Sequence, residues 1–215
     1  ATGNTYLYES AADEVTLACG GELIRIADAT GTGENTIFGV NAGLSLDANS
    51  DANVFIGADV ADAALNGADN NVGIGHSALS ALTSGDNNVC IGFEAGDAFD
   101  AESDNIFIGS AAGGGASLAA GETIAIGSDA LLALVGGTNN IAIGHGALKE
   151  HTGGARNIAI GHGALDETAG TNAAASNYNV AIGWNALGGD WADVESNYNV
   201  AIGSSAMDAI MNGSV

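Results

Sequence analysis

The chain of 215 residues has no proline, few aromatic residues (5%) and only three fixed cations, Arg25, Lys149 and Arg156. With 26 acidic residues the net charge is -23. That balance excludes binding to nucleic acid through its phosphates, which needs clustered cations, and disfavours an anionic membrane surface. The acidity instead keeps an elongated, otherwise apolar object soluble. So few rings exclude a core built on large side chains, and with 34 glycines against no proline the turns must rest on glycine. The two cysteines, Cys19 and Cys90, lie far apart in segments of different type, so no disulfide framework is expected. No stretch is long and apolar enough to span a bilayer, and no secretory n-region and h-region is visible. The terminal segments Ala1-Thr2-Gly3 and Gly213-Ser214-Val215 are expected to be the ends of an ordered or processed piece.

What the chain does have is one phrase: Asn, an aliphatic residue, a small or apolar residue, Ile, Gly. It opens at Asn53, Asn71, Asn88, Asn105, Asn140, Asn157, Asn179 and Asn199 and closes at Gly57, Gly75, Gly92, Gly109, Gly144, Gly161, Gly183 and Gly203. Two degenerate copies are Asn35 to Gly39, with Phe38 in the Ile place, and Thr123 to Gly127, where Thr replaces Asn. Successive closing glycines lie 17–22 residues apart, which marks a repeated structural unit stacked along one axis.

Inside each phrase the side-chain period of a strand places the residues three before and one before the Gly, such as Ile141 and Ile143, on one face. That face is expected to be interior, with Ile143 and Ile160 among its members. The residue between them then points outward: Phe55, Cys90, Phe107, Ala125, Ala142, Ala159, Ala181 and Ala201, with Gly73 and Ile37 in the remaining copies. It is never polar. A strand apolar on both faces is normally covered on both, so these residues are expected to form an interface with further copies of the chain, a homotrimer around a symmetry axis.

Two variable residues follow the Gly, then usually Ala and often Leu, as at Ala147-Leu148, which reads as a second inward-pointing segment. Polar, glycine-rich stretches return the chain to the next phrase. One repeat is therefore one coil. The fold class is all-β, a parallel β-solenoid of about ten coils, roughly 45–50 Å long at the strand spacing. The Asn of each coil is expected above that of the coil before, either as a ladder of amides or because Asn suits the turn's backbone. Residues 1–33 read as a separate module of short strands with a tight turn at Gly20-Gly21, and residues 34–215 as the solenoid shaft. The longer connections from Asp166 to Asn177 and Gly188 to Asn197 are candidate protruding loops.

Asn140 to Leu148, Asn157 to Leu165 and Asn179 to Leu187 fit an Asn-x-Ala-Ile-Gly-x-x-Ala-Leu pattern, and in this the chain resembles the repeat arrays of bacteriophage tail fibres and related virion fibres. The segment from Thr5 to Ser10, with that from Gly20 to Ile26, looks like the strand pair that precedes such arrays. The phrase is also similar to the head repeats of trimeric autotransporter (YadA-like) adhesins, although the period here is longer. The resemblance implies a trimeric, rod-like solenoid for attachment or display, at the virion or extracellular surface. Its partners would be other copies of itself, other virion or fibre proteins, and a host receptor or glycan. A bacterial surface adhesin is the rival expectation, and a glycan-cleaving spike the third.

No nucleophile with a base and no distinctive pair of carboxylates stands out, so an enzyme is not expected. His76, His145 and His162 share the slot after the closing Gly. Stacked histidines suit a transition metal, yet the slot also takes Val40, Ala58, Phe93, Ser110, Ser128, Trp184 and Ser204, so a permissive position explains it better. Acidic turns at Asp47 to Asp51 and Asp100 to Asp104 supply oxygen ligands for calcium, but solvated turns are the simpler expectation. Neither a metal nor a cofactor is therefore assigned. Tyr178, Trp184, Trp191 and Tyr198 are weighed as a sugar-stacking platform against packing over wide terminal coils.

Overall fold

A computed structural model describes the strand residues 6–9, 15–19 and 22–26 and residues 34–114, 121–166, 176–189 and 196–208. Near the N-terminus, β1 (Tyr6–Glu9), β2 (Val15–Cys19) and β3 (Glu22–Ile26) form an antiparallel sheet in the order β1-β2-β3. Cys19 pairs with Glu22, so β2 and β3 meet across the two residues Gly20 and Gly21.

The remaining strands are three residues each and come one per repeat. They are β4 (Thr36–Phe38), β5 (Val54–Ile56), β6 (Val72–Ile74), β7 (Val89–Ile91), β8 (Ile106–Ile108), β9 (Ile124–Ile126), β10 (Ile141–Ile143), β11 (Ile158–Ile160), β12 (Val180–Ile182) and β13 (Val200–Ile202). All pair in parallel, each with its sequence neighbours, into one ten-stranded sheet. The register is exact from phrase to phrase: Ala142 lies between Ala125 and Ala159. The chain is a parallel β-solenoid.

Three devices hold consecutive coils together. The first strand residue donates its N–H to the Asn carbonyl of the following coil, as Ile141 to Asn157 (2.8 Å), while the closing Gly donates back to the preceding coil, as Gly144 to Ile126 (2.7 Å). The Asn side chains form a buried ladder, in which Asn88 donates both its backbone N–H (2.9 Å) and its Nδ2 (3.0 Å) to Asn71 Oδ1 and reaches the Glu102 carbonyl (2.8 Å). The left-handed backbone belongs not to this Asn but to the residue before it, for example Asn70, Asn87 and Tyr178 (φ 58–60°). Of the two explanations for the Asn column, the amide ladder is the one realised: each buried amide satisfies a backbone carbonyl and the N–H of the next Asn, as Asn88 does for Glu102 and Asn105. Finally, the closing glycines have φ between 129° and 148°. A Cβ on any of them from Gly39 to Gly183 would collide with the carbonyl oxygen of the next closing Gly, so only glycine fits.

After the Gly, positive φ recurs at every second residue, at Gly146 (63°) and Leu148 (53°) in the coil of β10. The Gly146 N–H then bonds the preceding coil at Ser128 (3.0 Å) and the Leu148 N–H the following one at Ala164 (3.0 Å). The alternating N–H groups of the corner thus bond the coils on either side.

The burial of the strands corrects one expectation. The middle residue faces the interior: Phe55, Cys90, Phe107, Ala125, Ala142, Ala159 and Ala181 are 0% exposed and Ala201 3%. They cannot form a subunit interface. The flanking residues, Ile143 and Ile160 included, are the outer ones, half-buried or exposed. The period of two was read correctly and its sign was not, because both faces are apolar.

The interior is filled by a size exchange across the coil. Where the middle residue is Gly or Ala, the fourth residue after the closing Gly is large: Leu79 opposite Gly73, Leu131 in the coil of Ala125, Leu148, Leu165 and Leu187 in those of Ala142, Ala159 and Ala181, and Met207 in that of Ala201. Where the middle residue is larger (Ile37, Phe55, Cys90, Phe107), the fourth is Gly43, Ala61, Gly96 or Gly113. The Phe107 ring lies against Gly113, where a Cβ would strike it, and Phe99 meets the same ring edge-on with centroids 5.7 Å apart. Close packing at fixed coil width requires this exchange.

Candidate interaction surface

With the middle residues inside, the outer face of the sheet is written by the flanking ones. From Val54 to Ile202 every outer position is Val or Ile, in two parallel columns running across β5 to β13. Most are half-buried by their neighbours in the column, while Ile56 and Ile106 stand 36% exposed, Val200 63% and Ile202 68%. No outer strand position carries a charge or a polar group after Thr36. At strand spacing the columns are roughly 40 Å long, and side by side they cover on the order of 400 Å² of contiguous apolar surface. Contiguous apolar patches of a few hundred Å² are where contacts with other molecules concentrate.

Two further columns border this face. On one side lies the slot after the closing Gly, where rings stack from coil to coil: His76 on Phe93 with centroids 5.5 Å apart and His145 on His162 at 5.0 Å. Trp184 in the same slot is 54% exposed. On the other side is the slot before the Asn. There Arg156 lies 5.4 Å over the Tyr178 ring, which stacks in turn on Tyr198 at 4.9 Å and 10°. Tyr178 is thus engaged by both neighbouring coils, by Tyr198 through its ring and by Arg156 over the ring and, through Nη1, at the hydroxyl (3.1 Å). A sugar-stacking platform needs open ring faces, so Tyr178 does not provide one; Trp191 lies outside the described residues. The register does not place Tyr178 and Trp184 in one column, but on opposite borders of the sheet.

Acidic turns are stapled by their own hydrogen bonds. Asp47 takes the Ser50 hydroxyl (2.6 Å), the Asn49 amide (2.9 Å) and the Gly67 N–H (3.2 Å), and the Ser50 bond leads in holding its carboxyl below the usual range. Glu102 caps the N–H groups of Asp100 and Ala101 (both 3.1 Å). Asp69 accepts the Asp51 N–H (2.7 Å) and Asp86 the Asp69 N–H (2.8 Å), which ties coil to coil. Asp97 is shifted the other way, upward, first by burial and then by the charge of Glu94. The carboxylates of Asp47, Asp69, Asp86 and Glu102 hold turns, whereas Asp97 Oδ1 is buried without a hydrogen-bond partner among the described residues. Burial likewise pushes the Cys90 thiol far up, which leaves it a small hydrophobe.

A buried titratable residue, His151, was not legible in the sequence. His151 is fully buried and its Nε2 lies 3.2 Å from Asn157 Nδ2 beside the amide ladder. It sits three residues after Leu148, a slot filled by buried Leu82, Phe99 and Leu134 in the coils of Leu79, Gly96 and Leu131. Burial brings its pKa down to about 4, so the ring is neutral at neutral pH. The candidate loops fall mainly on residues 167–175 and 190–195, which lie outside the described residues.

These features define the class as a parallel β-solenoid repeat protein with a two-column aliphatic outer face. No protein-family model, curated protein or solved structure matches the chain.

Proposed function

We propose that this chain is a non-enzymatic shaft segment of a virion fibre, assembled as a homotrimer through its outer aliphatic face, and that it supports or presents attachment to a host surface. The observation that carries the reading is the unbroken Val/Ile face between Val54 and Ile202. Another copy of the same face is its natural complement: both have the same repeat spacing and neither brings a charge to the contact. A stripe two side chains wide is covered fully by three copies that meet along an axis parallel to the stack, which closes the assembly. The resemblance to virion fibre arrays implies the same number. The acidic turns then face water and keep neighbouring rods apart.

A bacterial surface adhesin is the second reading, favoured by the exposed ring columns at Trp184 and Tyr198, which offer contact surface on the coils themselves. Immunogold labelling with antibody against the purified chain separates the two. Label on virion appendages is expected. Label confined to the surface of intact bacterial cells would replace the fibre with the adhesin, and shortening of a host glycan by the purified chain would replace both with a glycan-cleaving spike.

A further inference from the structure

His145 and His162 differ from the other described histidines. His76 has its Nδ1 2.8 Å from the Ser77 hydroxyl and its Nε2 3.6 Å from Asp59, and His151 is buried. His145 and His162 are both exposed, and their contact is with each other: the rings lie parallel within 12°, centroids 5.0 Å apart. Neither makes a side-chain hydrogen bond within the described structure, so their ring nitrogens are available as lone-pair donors.

We infer that His145 and His162 together chelate a divalent transition-metal ion of the nickel, copper or zinc group. Neutral imidazole suits these ions. The backbone fixes the pair, because the two phrases stack in register and the Gly163 N–H bonds the His145 carbonyl at 3.0 Å. Each His precedes a glycine, so no side chain on the following residue crowds the rings. Metal–nitrogen bonds of about 2.0–2.1 Å require the donor atoms roughly 3–4 Å apart. The two rings must therefore turn out of their parallel stack until their nitrogen lone pairs converge, a rotation about the side-chain bonds that exposed side chains are free to make. The net charge of -23 raises the local concentration of cations around the rod. Two protein ligands leave the other coordination positions to water or to a bridging donor, which makes the site exchangeable.

The test is calorimetric titration of the intact chain with Ni(II). One ion per chain is expected, with affinity at least tenfold tighter than in His145→Ala or His162→Ala, while His76→Ala retains the native affinity. Equal affinity in all three variants, or one ion per two chains, would overturn the intrachain pair. Should a variant fold poorly, paramagnetic Ni(II) added to the unaltered protein reads the same pair by NMR. The ring signals of His145 and His162 should broaden together and before that of His76; broadening of His76 first or equally would refute the assignment.

Discussion

The inner and outer faces of the one sheet are both apolar, yet they follow different rules. Outside, the residue type hardly changes: Val or Ile at each position from Val54 to Ile202. Inside, the middle residue runs through Ile37, Phe55, Gly73, Cys90, Phe107 and then Ala, and each change is answered by the fourth residue after the closing Gly. Variation with compensation is the mark of a closed, close-packed volume; the outer columns, which have nothing across the coil to fill, stay constant without it. Apolarity alone does not separate inside from outside in a solenoid. Covariation between slots within the one chain does.

The comparison breaks most visibly at Ala142. Ala142→Asp puts an unpaired charge where the side chain is 0% exposed, which costs several kcal/mol. Far-UV circular dichroism and thermal melts should show loss of the cooperative transition or a large drop in Tm. The exchange rule is sharpened by Phe107. Phe107→Ala should destabilise by about 3–5 kcal/mol, and adding Gly113→Leu should recover at least half, because Leu131 holds a φ of 54° at the corresponding place where Gly113 has 62°. Denaturant titrations of both single variants and the double give the coupling directly.

A third comparison sets Gly144 against Gly203. Gly144→Ala drives a Cβ into the Gly161 carbonyl, whereas a Cβ at Gly203 would meet, among the described residues, only the Ala206 Cβ at 4.0 Å. Gly203→Ala should therefore cost about 1–3 kcal/mol for its backbone angle alone, and Gly144→Ala distinctly more, in the same chemical denaturation assay.

His151 adds a pH term. Its folded pKa of about 4 lies below the ordinary 6.5. Above pH 6.5 both states are neutral and it contributes nothing. Between 6.5 and 4 the unfolded chain takes up a proton that the folded one refuses, so stability falls as pH falls, by about 3 kcal/mol over that window. His151→Leu, which restores the residue type of Leu82 and Leu134, should flatten that part of the stability profile relative to the unaltered chain; identical profiles would show that His151 does not titrate in isolation.

The repeat, the coil period, the parallel stacking and the column of Asn were all legible in the sequence because each is a local rule repeated at fixed spacing. The sign of the strand faces was not, since it depends on what lies across the coil from the strand. The pairing of Phe107 with Gly113, and of Ala142 with Leu148, carries that information and needs two slots to be compared. His151 was illegible for a similar reason: its slot is recognised only once Leu82, Phe99 and Leu134 are aligned with it. The His145–His162 pair was visible as a shared slot, but the freedom of its ring nitrogens appears only when the contacts are known.

The most direct measurement is the solution mass of the unaltered chain beside that of Ile143→Asp/Ile160→Asp, by light scattering. The outer face predicts about 63 kDa, three times the 20.9 kDa of one chain, for the former. For the double variant it predicts a folded, soluble 20.9 kDa monomer. A monomeric unaltered chain, or a double variant that keeps its assembly, would contradict the assignment of this face to contacts between copies.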